Sequence, residues 1–117
     1  MTRIFHITTR AEWESQSEQS SYSASSIESE GFIHASRANQ IVDTANRIFA
    51  GRDDLVVLVV DVDKLTSPLK VEDSYGHGSF PHVYGSITKD AILSTVDFPC
   101  NSDGTFTLPI AIQNEPT

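Results

Sequence analysis

An unbroken run of leucine and valine at residues 55–60 limits the folds open to this chain more than any other segment. The run is too short for a buried helix and far below the ~20 apolar residues that cross a bilayer. A short run of this composition, followed directly by Asp61, is typical of a strand that is covered on both faces. We therefore predict a central sheet strand here and no membrane-spanning segment.

The segments around this run predict further strands and two main helices. Thr9-Arg10-Ala11-Glu12 has the form of a helix-capping box, and apolar residues recur at helical spacing over residues 41–49, with Ser36 as a candidate cap and Gly51 as the stop. The serine-rich residues 16–26 favour turns or short strands. Further strands are predicted at residues 3–8, 31–36, 69–72, 82–87 and 91–98.

Early helices followed by a series of strands predict a single α+β domain over residues 1–98, with a bent or split, mostly antiparallel sheet. A chain of 117 residues has room for one such domain. Residues 99–117 are expected to form a C-terminal hairpin or tail, with Asp103-Gly104 as its turn.

Charge and cysteine content exclude several classes of protein. The formal net charge of −8 argues against broad nucleic-acid binding, because polyanion affinity depends on cations, although a small anionic ligand stays possible. The single cysteine, Cys100, excludes an internal disulfide framework and a multi-thiolate zinc site. Without the pattern of a secretion signal, the chain is expected to be cytoplasmic and free of membrane contact.

The four histidines carry the most chemical information. His6, His34 and His82 fall in or beside predicted strands, whereas His77 lies in a loop between glycines. Any one of them alone is more often a core residue that makes a backbone hydrogen bond. Histidines on one sheet face would instead share a pocket, where imidazole serves as acid, base or metal ligand.

Two other kinds of site have weaker support. A histidine zinc site is an alternative, but the short spacings H-E-x-x-H and H-x-H are absent, so no metal ligands are assigned. Nucleophilic catalysis is disfavoured, because Cys100 has no basic neighbour and the chain has no G-x-S-x-G elbow.

An anion site is a further candidate. Ser36 and Arg37 would begin the second helix, whose N–H groups attract a phosphate, and Arg47 would add charge. Equally, Ser36 is only a cap and the arginines are solvated. Carboxylates that follow strands can orient a histidine, and the acidic candidates are Asp61, Glu72, Asp73, Glu14 and Glu30.

The chain resembles the domain of unknown function 952 family of small bacterial proteins over roughly its first ninety residues. The matching segments are Ile4-Phe5-His6-Ile7 with Trp13-Glu14, Glu30-Gly31-Phe32-Ile33-His34-Ala35-Ser36 with Gln40, residues 45–55, and Phe80-Pro81-His82-Val83-Tyr84-Gly85. At fold level that family resembles the ADP-ribosyltransferase-like superfamily, which holds NAD on a small split sheet.

The resemblance implies roles for individual residues. His6 matches a first-strand position that would hydrogen-bond the nicotinamide ribose or carboxamide, and His34 lies at or near a second-strand position that contacts the ligand. The late-strand acid of many transferases has no clear counterpart, since His82 and Tyr84 occupy that motif. This departure argues against glutamate-dependent ADP-ribosyl transfer.

Together these observations predict a cleft lined by His6, His34 and His82, with Ser36, Arg47 and Tyr84 nearby. The expected ligand is nucleotide-like or otherwise phosphorylated, with NAD as a candidate, and transfer or hydrolysis at a ribosyl carbon is a possible reaction. His6 would position the ribose, His34 would contact the base or leaving group, and His82 would act as acid or base. Arg47 or Arg37 would neutralise phosphate. The competing hypothesis is a non-catalytic ligand-sensing or interaction module.

Overall fold

The structure, a computed structural model, describes residues 2–113. Its strands are β1 Arg3–Thr9, β2 Ser21–Tyr22, β3 Ile33–His34, β4 Leu55–Asp61, β5 Leu69–Asp73, β6 Ser79–Val83, β7 Ile87–Thr88 and β8 Ile92–Asp97. Its α-helices are α1 Arg10–Glu14, α2 Ser26–Glu30, α3 Ile41–Ile48 and α4 Ile110–Gln113. Short 3-10 turns occupy Val62–Lys64 and Lys89–Ala91.

The strands form three small antiparallel sheets. In the first, β4 lies between β1 and β8; the second pairs β2 with β7; the third has the order β3-β6-β5. A backbone bridge between Phe5 and Ser36 connects β1 to the chain just after β3. The prediction of an α+β chain with a mostly antiparallel sheet is confirmed.

The apolar run is the buried centre of the fold, as its composition predicts. Every residue of β4 is buried. Alternate side chains pack into two different clusters, because successive residues of a strand point to opposite faces. Val56, Leu58 and Val60 contact the cluster that contains Tyr22 and Ile33. Val57 and Val59 contact the cluster that includes Phe5, Ile41, Ala45 and Phe98.

The helices are shorter than the sequence pattern predicts. Helix α3 has eight residues, and no other α-helix within residues 2–113 exceeds five. The Thr9 cap is confirmed, since its hydroxyl accepts from the Glu12 N–H at 3.1 Å. The same part of the chain contains no helix with the length and apolar character required to cross a membrane.

The predicted capping role of Ser36 is wrong. Helix α3 begins only at Ile41, after Gln40, which makes no side-chain cap hydrogen bond. Ser36 stays extended because its N–H donates to the Phe5 carbonyl at 2.8 Å and its own carbonyl accepts from Phe5 at 2.9 Å. Buried in this bridge, Ser36 does not begin a helix that could attract an anion.

Residues 99–113 pack onto the second core cluster. Phe106 is 5% exposed and lies with its ring centroid 4.8 Å from that of Phe98. Its N–H donates to the Asn46 side chain at 2.8 Å. At the predicted turn, Gly104 has a φ of +86°, a conformation that favours glycine. Residues 114–117 of the predicted tail lie outside the described residues.

We expect Phe106→Ala to lower the free energy of unfolding by ~3 kcal/mol, because it leaves a cavity against Phe98. Chemical denaturation monitored by circular dichroism measures the change. Ser102→Ala, an exposed substitution in the same segment, is the control and should change stability by less than about 0.5 kcal/mol. Equal stabilities for the two variants would contradict the packing described for residues 99–113.

Candidate functional site

One face of the β3-β6-β5 sheet carries aromatic, imidazole and carboxylate side chains. His34 pairs directly with His82, which in turn pairs with Lys70, while Glu72 pairs with Phe80. Direct partners of an antiparallel pair lie on the same face, so these side chains project together. Their neighbours Ile33, Val83 and Leu69 face the apolar core instead.

The first group on this face is His34, Glu30 and Tyr75. The His34 Nε2 lies 3.0 Å from Glu30 Oε2, and the Tyr75 hydroxyl donates to the same oxygen at 2.5 Å. Because a carboxylate only accepts, His34 donates through Nε2. The hydrogen bonds from Tyr75 and His34 lower the pKa of Glu30, which keeps this carboxylate ionised. The imidazole of His34 is therefore held by a charged partner.

The second group repeats this chemistry with His82, Glu72 and Tyr84. The His82 Nδ1 lies 2.9 Å from Glu72 Oε1, to which the Tyr84 hydroxyl also donates at 2.5 Å. Hydrogen bonds from Tyr84 and His82 lower the pKa of Glu72. The other ring nitrogen of His82, Nε2, is buried and has no hydrogen-bond partner within the described residues.

Phe32 joins the two groups. Its ring stacks on His82 with a centroid distance of 4.0 Å and meets the edge of His34 at 4.8 Å. The His34 and His82 rings lie 5.4 Å apart, edge to face. The two imidazoles are thus neighbours, but each donates its hydrogen bond to a glutamate and not to the other ring.

His6 is held on both sides by the protein. Its Nδ1 lies 2.5 Å from the His34 carbonyl and its Nε2 lies 2.9 Å from the Tyr22 hydroxyl. The carbonyl requires Nδ1 to donate, so Nε2 accepts from Tyr22 in the neutral ring. Burial lowers the pKa of His6, while burial raises the pKa of Tyr22. His6 therefore matches a core histidine that fixes the backbone of β3.

A cleft of about 590 Å³, here called the main cleft, opens beside His34. Its apolar wall includes Phe5, Ile7, Ile48, Phe49 and Phe80, and its polar lining includes His6, Glu12, Glu30, His34, Ser36, Arg47, Tyr75 and His77. Four of the predicted site residues thus line one space, namely His6, His34, Ser36 and Arg47.

The remaining predicted residues lie elsewhere. His82 and Tyr84 line a neighbouring space of about 320 Å³, here called the aromatic depression, together with Phe32, Glu72, Asp73, Ser74 and Tyr75. Ser74 and Tyr75 belong to both spaces. Arg37 lines neither, and its guanidinium donates to the Ser79 carbonyl at 3.1 Å.

Within residues 2–113, no group of three or more histidine, cysteine, aspartate or glutamate side chains is arranged to hold a metal ion. The histidines lie close together, but hydrogen bonds hold both nitrogens of His6, Nε2 of His34 and Nδ1 of His82. Each imidazole is thus directed at a protein partner.

Sequence reasoning missed Tyr22, Phe32, Tyr75 and Glu12. Phe32 was detectable, because it stands two residues before His34 and must share its face in an extended chain. Tyr75 was not, since its hydroxyl reaches Glu30 across 45 residues of sequence. The expectation that a carboxylate after a strand orients a histidine is met by Glu72 at the end of β5.

Comparison with known proteins identifies a family and solved structures that are similar to this chain. The model of a family described as protein of unknown function (DUF952) matches residues 7–95. The crystal structure of protein CC0527 from Caulobacter crescentus is 32% identical, with a TM-score of 0.84, and the alignment covers 96% of this chain and 99% of that one. Its solution NMR structure is 34% identical, with a TM-score of 0.78 and coverages of 90% and 91%. No curated protein matches this chain.

The lowered pKa of His6 predicts that the domain loses stability in acid. Below the ordinary histidine pKa of 6.5, His6 takes up a proton in the unfolded chain, whereas the buried ring of the folded chain stays neutral to a lower pH. The contribution of His6 is therefore complete above pH 6.5 and falls as the pH drops below that value, by up to about 1.4 kcal/mol per pH unit.

Urea denaturation between pH 7.5 and 5 measures this dependence, with His6→Asn as the reference. Asparagine can keep the donor to the His34 carbonyl and does not titrate. Over this range the stability of the wild type should fall more steeply than that of the variant. Parallel curves would show that His6 protonates equally well in the folded and unfolded chains.

Proposed function

The chain belongs to the DUF952 family, and we propose that its main cleft binds a small, phosphorylated, nucleotide-like ligand with which His34 exchanges a proton. The observation that carries this proposal is the position of His34. Its side chain is 39% exposed at the cleft, while Glu30 holds Nε2. A histidine that is both oriented by a carboxylate and reachable by a ligand has the properties of a general acid or base.

The size and lining of the main cleft support a ligand of this class. Its volume of about 590 Å³ lies within the range of about 300–1,000 Å³ that small-molecule sites occupy. The apolar wall formed by Phe49, Phe80 and their neighbours suits a planar base. Arg47 supplies a cation for phosphate, and it has no hydrogen-bond or ion-pair partner within the part of the chain that the structure describes.

The roles expected from the sequence are refined for this proposal. His6 acts as a positioning residue, because both its nitrogens are engaged and one of them holds the His34 carbonyl. Arg47, which lines the main cleft, replaces Arg37 as the phosphate contact. His82 is proposed to support the His34 ring through the edge contact between the two rings. Tyr84 donates to Glu72 outside the main cleft and has no role in this proposal.

For a reaction, we propose hydrolysis or transfer at a ribosyl carbon, with NAD as the first substrate to test. His34 would accept the proton of an attacking hydroxyl or water as the new O–C1′ bond forms and the C1′–N bond to nicotinamide breaks. Nicotinamide would leave as a neutral molecule with the electron pair of that bond. Each atom and charge is then accounted for without a redox partner.

A ligand-sensing module without catalysis is the second candidate. It is favoured by the hydrogen bonds of Glu30, whose Oε2 already accepts from both His34 and Tyr75. A carboxylate so engaged is less available to stabilise a cationic transition state at the ribose. Binding of a nucleotide without release of nicotinamide would select this candidate.

Isothermal titration with NAD, ADP-ribose and AMP tests the ligand class, and chromatography of the mixture detects released nicotinamide. We expect binding of at least one nucleotide. His34→Ala should weaken it at least tenfold while the thermal midpoint stays within a few degrees, because a half-exposed site histidine contributes little packing.

Two tyrosine variants form a matched pair for this experiment. Tyr75→Phe removes a hydrogen bond to Glu30 in the main cleft, and Tyr84→Phe removes the equivalent bond to Glu72 outside it. Only Tyr75→Phe should weaken the nucleotide complex. The proposal fails if no nucleotide binds, or if His34→Ala binds as tightly as the wild type.

A further inference from the structure

The aromatic depression has a different chemical character from the main cleft. Three aromatic rings, those of Phe32, Tyr75 and Tyr84, line it together with the carboxylates of Glu72 and Asp73. No lysine or arginine is among its lining residues. Aromatic rings present a negative face, and ionised carboxylates add to it, so this space attracts cations.

One carboxylate oxygen is left for a ligand. The hydrogen bonds from His82 and Tyr84 both end on Oε1 of Glu72, and no described residue bonds to its Oε2. The Glu72 side chain is 38% exposed, which means that solvent and small ligands can reach this carboxylate. The same two hydrogen bonds lower the pKa of Glu72, which keeps the charge present at neutral pH.

The chain itself shows that a cation is accepted at this face. Lys70 holds its ammonium nitrogen 4.8 Å from the centroid of the Tyr84 ring, which is within the ~6 Å range of a cation–π contact. Lys70 does not line the depression, so its own ammonium leaves the space between the rings open.

His82 borders the depression and holds its carboxylate in place. Its side chain lines the depression, is only 3% exposed, and leaves Nε2 without a hydrogen bond within residues 2–113. Because Nε2 is itself buried, a ligand in the depression does not contact it. The hydrogen bond at Nδ1 holds Oε1 of Glu72, which leaves Oε2 as the oxygen available to a cation.

We propose that the aromatic depression binds the alkylammonium group of a small organic cation, at a site that adjoins the main cleft and shares Tyr75 with it. The rings of Phe32, Tyr75 and Tyr84 would surround the alkylated nitrogen, and Glu72 would neutralise its charge. The volume of about 320 Å³ suits a small cation of this kind. This site does not require the main cleft to bind a nucleotide.

The test compares choline with 3,3-dimethyl-1-butanol, its uncharged carbon isostere, by NMR titration at low ionic strength. Choline should bind at least tenfold more tightly, and the shift changes should centre on Phe32 and Tyr84. Glu72→Gln keeps an acceptor for His82 and removes the charge, so it should weaken choline binding at least tenfold. Glu28→Gln removes the same charge from an exposed position outside the depression and serves as the control.

Lys70→Met should change the affinity for choline in the opposite direction. It removes a positive charge that lies beside the Tyr84 ring and repels a second cation, so choline should bind several-fold more tightly than to the wild type. Adding Tyr84→Leu to Lys70→Met should abolish that gain in choline binding. Tyr84→Leu also provides a second variant if Glu72→Gln fails to fold. The proposal is overturned if choline and its isostere bind alike, if neither binds, or if the shift changes centre on Glu12 and Ala24 of the main cleft.

Discussion

The pairing of His34 with His82 is the constraint on which the site depends. It aligns β3 with β6 and, through the pairing of His82 with Lys70, β6 with β5. A slip of one residue would turn every side chain of a strand to the opposite face. The apolar neighbours Ile33 and Val83 prevent such a slip, because it would expose them and bury the imidazoles in the core. The hydrophobic core therefore fixes the polar face, although it lies on the other side of the sheet.

Two carboxylates orient the imidazole and phenol groups at this face. Each binds one imidazole and one phenol, although Glu30 and Glu72 themselves lie 42 positions apart in the sequence. They differ in exposure. The histidine beside Glu30 reaches the main cleft, whereas the histidine beside Glu72 is covered by Phe32. The same set of residue types thus presents a half-exposed imidazole at one place and a buried imidazole at the other.

The sequence predicts the main elements of this fold because their signals are local. The apolar run of β4, the Thr9 cap and the position of β5 follow from composition and spacing in short windows. The start of α3 does not, because the backbone of Ser36 is captured by Phe5, a partner 31 positions away. Helix α2 was missed, since its serine-rich residues have weak helical propensity and Gly31, with a φ of +87°, ends it after five residues.

The site was predictable only in part, because several of its contacts also join residues that lie far apart in the sequence. Histidines in strands indicated a common region, and the sheet does bring His34 and His82 into ring contact. Which imidazole would be reachable depends on Tyr22, Phe32 and Tyr75, whose contacts are made across the fold. Alternation along a strand gives a side chain its face, but only tertiary packing decides whether solvent reaches it.

The loop that carries Tyr75 connects the two spaces physically. Tyr75 has a φ of +51°, a left-handed conformation that costs a non-glycine residue about 1 kcal/mol or more. Its backbone enters a tight turn in which the Ser74 N–H donates to the Gly78 carbonyl at 3.0 Å. The hydroxyl donates to Glu30, and the ring lines both the main cleft and the aromatic depression. A ligand that displaces Tyr75 from Glu30 would therefore alter both spaces at once, because one side chain forms part of each.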